Sequence, residues 1–284
     1  ESTDCDIHLS LERVPGCEVY RAGDGVHAAW LERRNAFEPF WKRLTRGLTR
    51  KHSQILELER RVFDAGNTRA IIANSQMVRN EILAHFPYPA DRIHIVRNGI
   101  RPWGELPPRD TARKKFGLDP EVFCLLFLGT GWERKGLSTA LGAVRMLDSA
   151  KLLVAGRGPA DLYRCDNAQF LGPVSDIASL FAAADLMVAP TWYDPFSNAC
   201  LEALSAGLPV ITTPANGFSE ILVPGLHGDI FPCGDALALA EFLETWKLPG
   251  RADSARTACR ARAAEFSIER NARETLEILK SAAR

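Results

Sequence analysis

The strongest candidate for chemistry is the stretch of residues 190–203, which reads PTWYDPFSNACLEA. It holds Asp194 and Glu202, eight residues apart, on either side of an expected helix start. Amides at a helix start bind anions such as phosphate, and a carboxylate one to two turns along can accept hydrogen bonds from paired sugar hydroxyls. The free amides expected here belong to Phe196, Ser197 and Asn198. In the alternative interpretation, Asp194 only caps the helix and Glu202 faces solvent.

A second stretch, residues 128–136, reads LGTGWERKG and follows an apolar run. Gly129 and Gly131 would let the backbone approach a diphosphate, and Arg134 and Lys135 would neutralise its charge. The stretch is neither a P-loop nor a dinucleotide-binding glycine motif, because Arg134 stands where either motif needs its last glycine. A turn with two solvated basic side chains remains the alternative.

Other candidate residues carry weaker signals. Arg157 lies in a strand-to-turn junction, and Pro173 and Val174 follow another expected strand, but such turns occur in any α/β protein. Asp24, between two glycines, could be a catalytic or acceptor-orienting carboxylate or an ordinary helix N-cap. Residues 216–220 could open a helix toward a sugar or could simply cap it.

From residue 121 onward, short apolar runs alternate with helical stretches, which predicts βαβ units and a parallel sheet. Ligands bind such sheets at the carboxyl ends of the strands, where the candidate loops lie. The expected strands are Val122–Leu128, Leu152–Ala155, Phe170–Leu171, Leu186–Ala189 and Pro209–Ile211, and the expected helices are centred near Leu141, Tyr163, Ala178, Leu201 and Ile221.

The earlier part of the chain shows the same alternation less regularly. A long helical region is expected over residues 28–64, a linker at Arg101–Pro108, and two closing helices at 253–264 and 268–282. The other expected elements are strands at Ile7–Leu11, Glu18–Arg21, Ala70–Ala73 and Ile93–Val96 and a helix at Ser75–His85.

Bulk properties narrow the class of protein. With 284 residues, 46% hydrophobic and 25% charged, the chain can bury a sizeable core. Thirty-five basic residues balance thirty-five acidic ones, which argues against a nucleic-acid binder. Seven cysteines, an odd number without a Cys-x-x-Cys pair, predict reduced thiols in a cytoplasmic protein. No spacing of histidines or carboxylates predicts a metal site.

Residues 30–51 combine large apolar side chains at steps of three to four with a strong excess of cations. A basic amphipathic helix of this kind can lie on an anionic membrane surface, which would place the protein on the inner face of the cytoplasmic membrane. The alternative is a stripe facing the core with a solvated basic face.

Taken together, these stretches resemble the family-4 glycosyltransferases of the GT-B fold, from about residue 4 to the end. The resemblance implies an α/β protein with two Rossmann-like parallel-sheet domains facing a cleft. Residues 15–24 and the basic segment after them are similar to glucosyltransferases of the lipopolysaccharide core. The anchors are Asn98-Gly99, Gly129…Arg134-Lys135-Gly136, Gly156-x-Gly158, Phe170-Leu171-Gly172, residues 182–185, Asp194-x7-Glu202 and residues 207–211.

The resemblance also implies a domain division. Residues 1–104 would form a partial acceptor-side domain, 105–266 the donor domain, and 267–284 a helix packing back on the first domain. The chain starts at Glu1 and lacks the opening strand and glycine-rich loop of the family, so we expect a preceding segment.

The same resemblance implies roles for the candidate residues. Arg134 and Lys135 would hold the diphosphate of a UDP-sugar donor, and Glu202 its ribose. Asp194 takes the family's first acidic place, usually Glu, near the donor sugar. The backbone of Phe196–Asn198 would receive a phosphate, Arg157, Pro173 and Val174 would frame the base, and Asp24 would lie near a glycan or glycolipid acceptor.

Family members are retaining enzymes that need no metal or other cofactor. The expected activity is therefore transfer of a hexose, such as glucose, from UDP-sugar to a glycan or lipopolysaccharide-core acceptor with retention. A non-catalytic nucleotide-sugar-binding module is the alternative from another class.

Overall fold

The structure, a computed structural model, describes residues 5–35, 37–38 and 50–283. Its contacts divide the chain into two compact units, each with its own parallel sheet. The first unit comprises Glu1–Gly99, Asp194–Phe196 and Ile268–Arg284, and the second Ile100–Tyr193 and Ser197–Ser267.

The sheet of the first unit has four parallel strands in the order β1-β2-β3-β4 among the described residues. All four residues of β3 are buried, as expected for a strand covered on both faces. The strands are β1 Leu9–Ser10, β2 Val19–Ala22, β3 Ala70–Ala73 and β4 Ile93–Ile95, and the helices are α1 His27–Arg34, α2 Arg50–Val62, α3 Gln76–His85 and, at the end of the chain, α10 Ile268–Ala282.

Two cores hold this unit together. On one side Tyr20 packs edge-on against Phe63 at 5.7 Å between ring centroids, joining β2 to the residue after α2. On the other side the apolar stripe of α10 covers a cluster that includes Val19 and Ile72. The amphipathic pattern of α10 therefore has its partner in β2 and β3.

The second unit contains a six-stranded parallel sheet in the order β10-β9-β8-β5-β6-β7. Counted within the unit from β7, this is the 3-2-1-4-5-6 order of dinucleotide-binding sheets, and the order reverses between β5 and β8. The strands are β5 Phe123–Leu128, β6 Ala150–Ala155, β7 Ala168–Gly172, β8 Leu186–Ala189, β9 Val210–Thr212 and β10 Gly228–Ile230, and the helices are α4 Arg109–Lys115, α5 Leu137–Val144, α6 Ile177–Ala183, α7 Asn198–Ser205, α8 Ala236–Lys247 and α9 Arg251–Ala264.

The predicted class, α/β with two parallel sheets, is confirmed, but several predicted elements differ. The helix expected near Tyr163 is a three-residue 3-10 turn, Ala160–Leu162, since Pro159 and two glycines leave no room for a helix after β6. Near Ile221 the helix is a 3-10 turn, Gly217–Ile221. The predicted long helix over residues 28–64 is described as α1 and α2, and the intervening residues 36 and 39–49 lie outside the described residues.

The prediction of a membrane-binding face falls mostly on that same stretch, and three of its cations, Lys42, Arg43 and Arg46, lie outside the described residues. Arg33 and Arg34 are described, and they form ion pairs with Glu81 and Glu38. In the part of the chain that is described, none of the helices has the length and apolar character needed to cross a membrane.

Candidate functional site

The carboxyl ends of β5 and β8 form the centre of the candidate site. The two strands pair directly, with Leu125 opposite Leu186, at the point where the strand order reverses. Open parallel sheets bind ligands in the crevice at this point, because the connections that follow the two strands run on to opposite sides of the sheet. Here those loops are residues 129–136 and 190–197, the two stretches with the strongest sequence signals.

Three hydrogen bonds tie these two loops together through Arg134. The Arg134 carbonyl accepts from the Trp192 amide at 2.9 Å and from the Thr191 hydroxyl at 3.1 Å. In return, Arg134 Nη1 donates to the Tyr193 carbonyl at 2.6 Å. The guanidinium is thus fixed at the start of the segment that leads into α7. Thr191 gave no sequence signal, because its contact spans 57 residues.

Two glycines let these turns approach each other. Gly136 has φ of 74°, and a Cβ there would lie 1.9 Å from the Pro190 oxygen. Gly156 has φ of 124°, and a Cβ would lie 2.0 Å from the Gly129 oxygen. Any side chain at either position would collide with backbone, so the packing of the turns after β5, β6 and β8 requires glycine.

Lys135 lies against the first glycine of its own loop. Its amide donates to the Gly131 carbonyl at 3.1 Å. Its side chain passes Gly129, since a Cβ added there would be 3.5 Å from Lys135 Cε. Gly129, Gly131 and Lys135 therefore lie together in this turn, and Arg134 joins the turn to the loop after β8.

Trp132 supports this loop from beneath, a role that sequence reasoning missed. It is only 2% exposed, and its Nε1 donates to the Gly129 carbonyl at 3.1 Å. Its ring packs edge-on against Tyr163, and a Cβ on Gly158 would come within 2.2 Å of it. The signal in the sequence that could have indicated this role is a large aromatic residue in a loop between Gly131 and Gly136.

The predicted base-framing residues lie on two adjacent turns. The Gly156 amide donates to the Gly172 carbonyl at 2.8 Å, which joins the turn after β6 to the turn after β7. Arg157 and Pro173 are exposed on these turns and Val174 is half-buried.

The start of α7 differs from expectation at one amide. Ser197 is the N-cap of α7, and its N–H donates to Asn216 Oδ1 at 3.2 Å. The expected free amide at Ser197 is therefore wrong, because Asn216 already occupies it. The same Oδ1 accepts from the Phe218 amide at 3.2 Å, so Asn216 caps both segments, and the capping interpretation of residues 216–220 holds. Asn198 begins the helix and is exposed.

Glu202 lies half-buried on α7, on the second turn from its start. Burial raises the pKa of its carboxyl group above the ordinary value. Within the described residues this carboxyl group makes no hydrogen bond or ion pair, whereas the Glu202 carbonyl accepts from Trp103 Nε1 at 3.1 Å. A half-desolvated carboxylate without a protein partner is suited to accept hydrogen bonds from a ligand.

Asp194 and Phe196 are buried, and their contacts assign them to the first unit. There the Phe196 carbonyl accepts from Asn98 Nδ2 at 3.4 Å. Asn98 Oδ1 in turn accepts from Arg21 Nη2 at 3.0 Å, which links this segment to β2. These two residues are thus held by elements other than those that hold Arg134 and Glu202.

Asp24 lies in the turn after β2, and its side chain is 70% exposed. It does not cap α1: the N-cap is Val26, and the first amides of α1 donate to Glu59 of α2. The N-cap interpretation of Asp24 is therefore wrong.

In the described ranges, no group of three or more His, Cys, Asp or Glu side chains is arranged to hold a metal ion.

Two family models match the chain. One, described as Glycosyltransferase Family 4, matches residues 23–102, and the other, Glycosyl transferases group 1, matches residues 123–246. The first match lies in the first unit apart from its last three residues, and the second lies in the second unit apart from Asp194–Phe196.

Curated relatives agree with these models. The chain is 26% identical over 243 residues to the lipopolysaccharide glucosyltransferase WaaG of Escherichia coli K12, covering 79% of this chain and 63% of that protein. It is 30% identical over 190 residues to the D-inositol 3-phosphate glycosyltransferase of Pseudarthrobacter chlorophenolicus, covering 60% and 45%. The chain thus spans about half to two thirds of the length of these relatives.

Solved structures show the same fold. The crystal structure of WaaG, a glycosyltransferase involved in lipopolysaccharide biosynthesis, matches with a TM-score of 0.76 at 24% identity, covering 93% of this chain and 74% of that one. HepE of Anabaena in complex with UDP-glucose matches with a TM-score of 0.74 at 19% identity, covering 93% and 72%. The first part of the chain is thus matched by a family-4 glycosyltransferase model and the second by a group-1 glycosyl transferase model, and the chain has the GT-B fold.

Proposed function

We propose that the protein transfers a hexose from a UDP-sugar to a glycan acceptor with retention of configuration. The proposal rests on two groups at the same helix: the guanidinium of Arg134, which is fixed by hydrogen bonds, and the carboxyl group of Glu202, which has no protein partner among the described residues. Arg134 is tied to the segment entering α7, and Glu202 lies half-buried on that helix. A nucleoside diphosphate offers both groups what they lack, since its phosphates are anionic and its ribose carries paired hydroxyls.

The donor diphosphate would lie against Arg134 and Lys135, over the backbone of Gly129 and Gly131. Its phosphates would also meet the start of α7 at Asn198, where the helix dipole favours negative charge. Since Ser197 N–H is already bonded, this contact would fall on the amides that follow. Glu202 would accept from the ribose hydroxyls, and Arg157, Pro173 and Val174 would frame the base.

In the reaction, the bond between the sugar C1 and the leaving phosphate oxygen breaks while C1 bonds to the acceptor oxygen on the same face. The acceptor proton passes to the leaving phosphate, so no separate base is needed. Arg134 and Lys135 would stabilise the negative charge that grows on the diphosphate without relying on a metal. Asp194 and the backbone of Phe196 would contact the donor sugar, and Asp24 the acceptor.

Two comparisons support the choice of substrates. WaaG is a lipopolysaccharide glucosyltransferase, and HepE was solved with UDP-glucose. We therefore propose UDP-glucose as donor and a lipopolysaccharide-core sugar as acceptor.

We also propose that residues 30–51 bind an anionic membrane, in which case changing Lys42, Arg43 and Arg46 to Glu should abolish co-sedimentation with anionic vesicles.

Lys135→Ala tests the donor half. We expect turnover of UDP-glucose to fall about 100-fold, since a cation aimed at the charge of a transition state contributes on this scale. The measurement is release of UDP with and without acceptor, and the matched control is Lys114→Ala, an exposed cation on α4 in the same unit.

Equal turnover in both variants would overturn the donor assignment. UDP binding with no turnover in the unmodified protein would instead favour the alternative, a nucleotide-sugar-binding module. Proton NMR of the product decides the stereochemistry, and an inverted anomeric centre would exclude same-face attack.

A further inference from the structure

Glu59 is a fully buried carboxylate that caps a helix other than its own. It lies on α2, is 0% exposed, and accepts from the His27 amide at 2.5 Å and the Ala28 amide at 3.2 Å. These are the first amides of α1, which has no side-chain cap of its own. Burial raises the pKa of Glu59, although the two amides and Arg13 oppose that effect.

Arg13 joins this buried carboxylate to the turn that carries Asp24. Its Nε donates to Glu59 Oε1 at 3.2 Å, and its Nη2 lies 3.1 Å from the same oxygen. Its Nη2 also donates to the Gly25 carbonyl at 3.0 Å. A single guanidinium, with a side chain only 16% exposed, therefore connects α2 with the turn after β2.

The contact between Arg13 and Asp24 is much looser. Arg13 Nη1 lies 3.5 Å from Asp24 Oδ2, and this is the one contact of the Asp24 carboxylate within the described residues. Glu59 and the Gly25 carbonyl engage Nε and Nη2 of the guanidinium, which leaves Nη1 to face Asp24. The Asp24 carboxylate therefore keeps oxygens open to solvent. Without Glu59, a planar guanidinium at this distance would close on Asp24 as a bidentate pair.

We propose that Arg13 and Glu59 are positioning residues that hold Asp24 fixed and open to accept hydrogen bonds from the hydroxyl groups of the acceptor sugar. This inference rests on the proposed function, because it takes Asp24 as the acceptor contact. The turn lies at the carboxyl end of β2, the edge at which parallel α/β sheets bind ligands. The charges of Arg13 and Glu59 offset each other, so Asp24 contributes its own negative charge to the site. Such a carboxylate selects hydroxyl donors over phosphate or carboxylate groups.

A positioning pair of this kind acts on acceptor binding and leaves donor binding alone. Glu59→Gln should raise KM for the acceptor about tenfold while UDP affinity changes less than about twofold, because a contact displaced by a closing ion pair is lost mainly from binding. Gln keeps the volume of Glu59 and one acceptor oxygen for an α1 amide. Urea unfolding of the variant checks that it folds. Arg13→Gln is the second variant, and it removes the guanidinium that joins Glu59 to the turn carrying Asp24.

The probe is transfer of glucose from UDP-glucose to a lipopolysaccharide-core oligosaccharide. Asp24→Asn is measured alone and combined with Glu59→Gln. If Glu59 acts through Asp24, the two changes together should raise KM no more than Asp24→Asn alone. Glu81→Gln is the matched control, since Glu81 forms another part-buried ion pair with α1, at 2.9 Å from Arg33 in the last turn of that helix.

Each result decides between the proposals. Additive effects of Glu59→Gln and Asp24→Asn on KM, or an equal rise of KM in Glu81→Gln, would overturn the positioning role and leave the proposed function standing. Absence of any glucose transfer by the unmodified protein would overturn the proposed function, and the acceptor site with it.

Discussion

His27 is the residue whose surroundings make the clearest statement about pH. Its Nε2 lies 3.0 Å from His52 Nδ1, and the two rings stack at 5.1 Å. Burial, with help from the positive charge of His52 and Arg13, lowers the pKa of His27 from 6.5 to about 4. The folded protein therefore keeps this ring neutral at pH values where the unfolded chain protonates it.

The consequence is a loss of stability in mild acid. Above pH 6.5 the ring is neutral in both states, so His27 makes no difference there. Between pH 6.5 and 4 the unfolded state binds more protons than the folded state. The free energy of unfolding therefore decreases as the pH is lowered through this range, by about 1–3 kcal/mol in all. His27→Gln should remove this part of the pH dependence, measured as urea unfolding at pH 7 and pH 4.5. Equal pH slopes in the variant and the unmodified protein would contradict the assignment.

At the scale of residues, the sequence predicts those roles that depend on residues close by in the chain. The cations at 134–135 could be predicted from type and spacing, because a loop after a buried strand brings its own residues together. The contacts of Thr191 and Glu59, and the bond of Asn216 with Ser197, could not, since each joins residues 19 to 57 positions apart. The turn at Asp24 is an example. Its local pattern predicts that Asp24 caps α1, but the first amides of α1 donate to Glu59.

A buried ion network joins α4 to the amino ends of β5 and β8. Asp185 accepts from the Cys124 amide at 2.8 Å, from Arg113 Nη2 at 2.7 Å and from Arg109. Arg113 is 2% exposed and also donates to four backbone carbonyls. This network lies at the edge of the sheet opposite the candidate site, so it bears on stability and not on catalysis.

Removing one charge from this network should be costly. Asp185→Asn leaves Arg113 buried without its counterion, and we expect a loss of about 3–5 kcal/mol in the free energy of unfolding. Lys115→Gln is the control, because Lys115 lies on α4 with Arg113 and forms an exposed ion pair with Asp176, the N-cap of α6. This pair is expected to contribute less than about 1 kcal/mol. Urea unfolding of both variants measures the difference, and comparable losses would contradict the account.

Among the elements, the strands of the second unit are predicted well because their apolar runs are continuous. Leu186–Ala189 has the predicted bounds, and β5 and β9 differ by a residue or so at their ends. β10 was missed, since Gly228-Asp229-Ile230 holds one large apolar residue and is a strand only through pairing with β9. The turn at 160–162 was overestimated for the opposite reason, because its apolar residues suggest a helix that Pro159 and the nearby glycines prevent.

At the scale of the whole molecule, strand order is the feature that no local pattern supplies. The alternation of strands and helices predicts two parallel sheets, but the 3-2-1-4-5-6 order follows from how the crossovers pack, and it places the residue 129–136 and 190–197 loops side by side. No local pattern predicts how the chain passes between the two units either. It leaves the first unit after Gly99 and its last helix belongs to the first unit again.

That last helix offers a test of how the units depend on the end of the chain. Leu279 on α10 packs against the cluster of Val19 and Ile72, and Arg69 Nη1 donates to the Ala282 carbonyl at 3.0 Å. Leu279→Ala should therefore lower the stability of the first unit by about 1–3 kcal/mol through lost apolar packing. Hydrogen exchange followed by mass spectrometry should show faster exchange in β2 and β3 and unchanged exchange in β5 and β6. Leu276→Ala on the same helix is the control, since Leu276 is 50% exposed and should change neither unit. Faster exchange in both units, or the same response from the two leucines, would mean that α10 does not stabilise the first unit through this face.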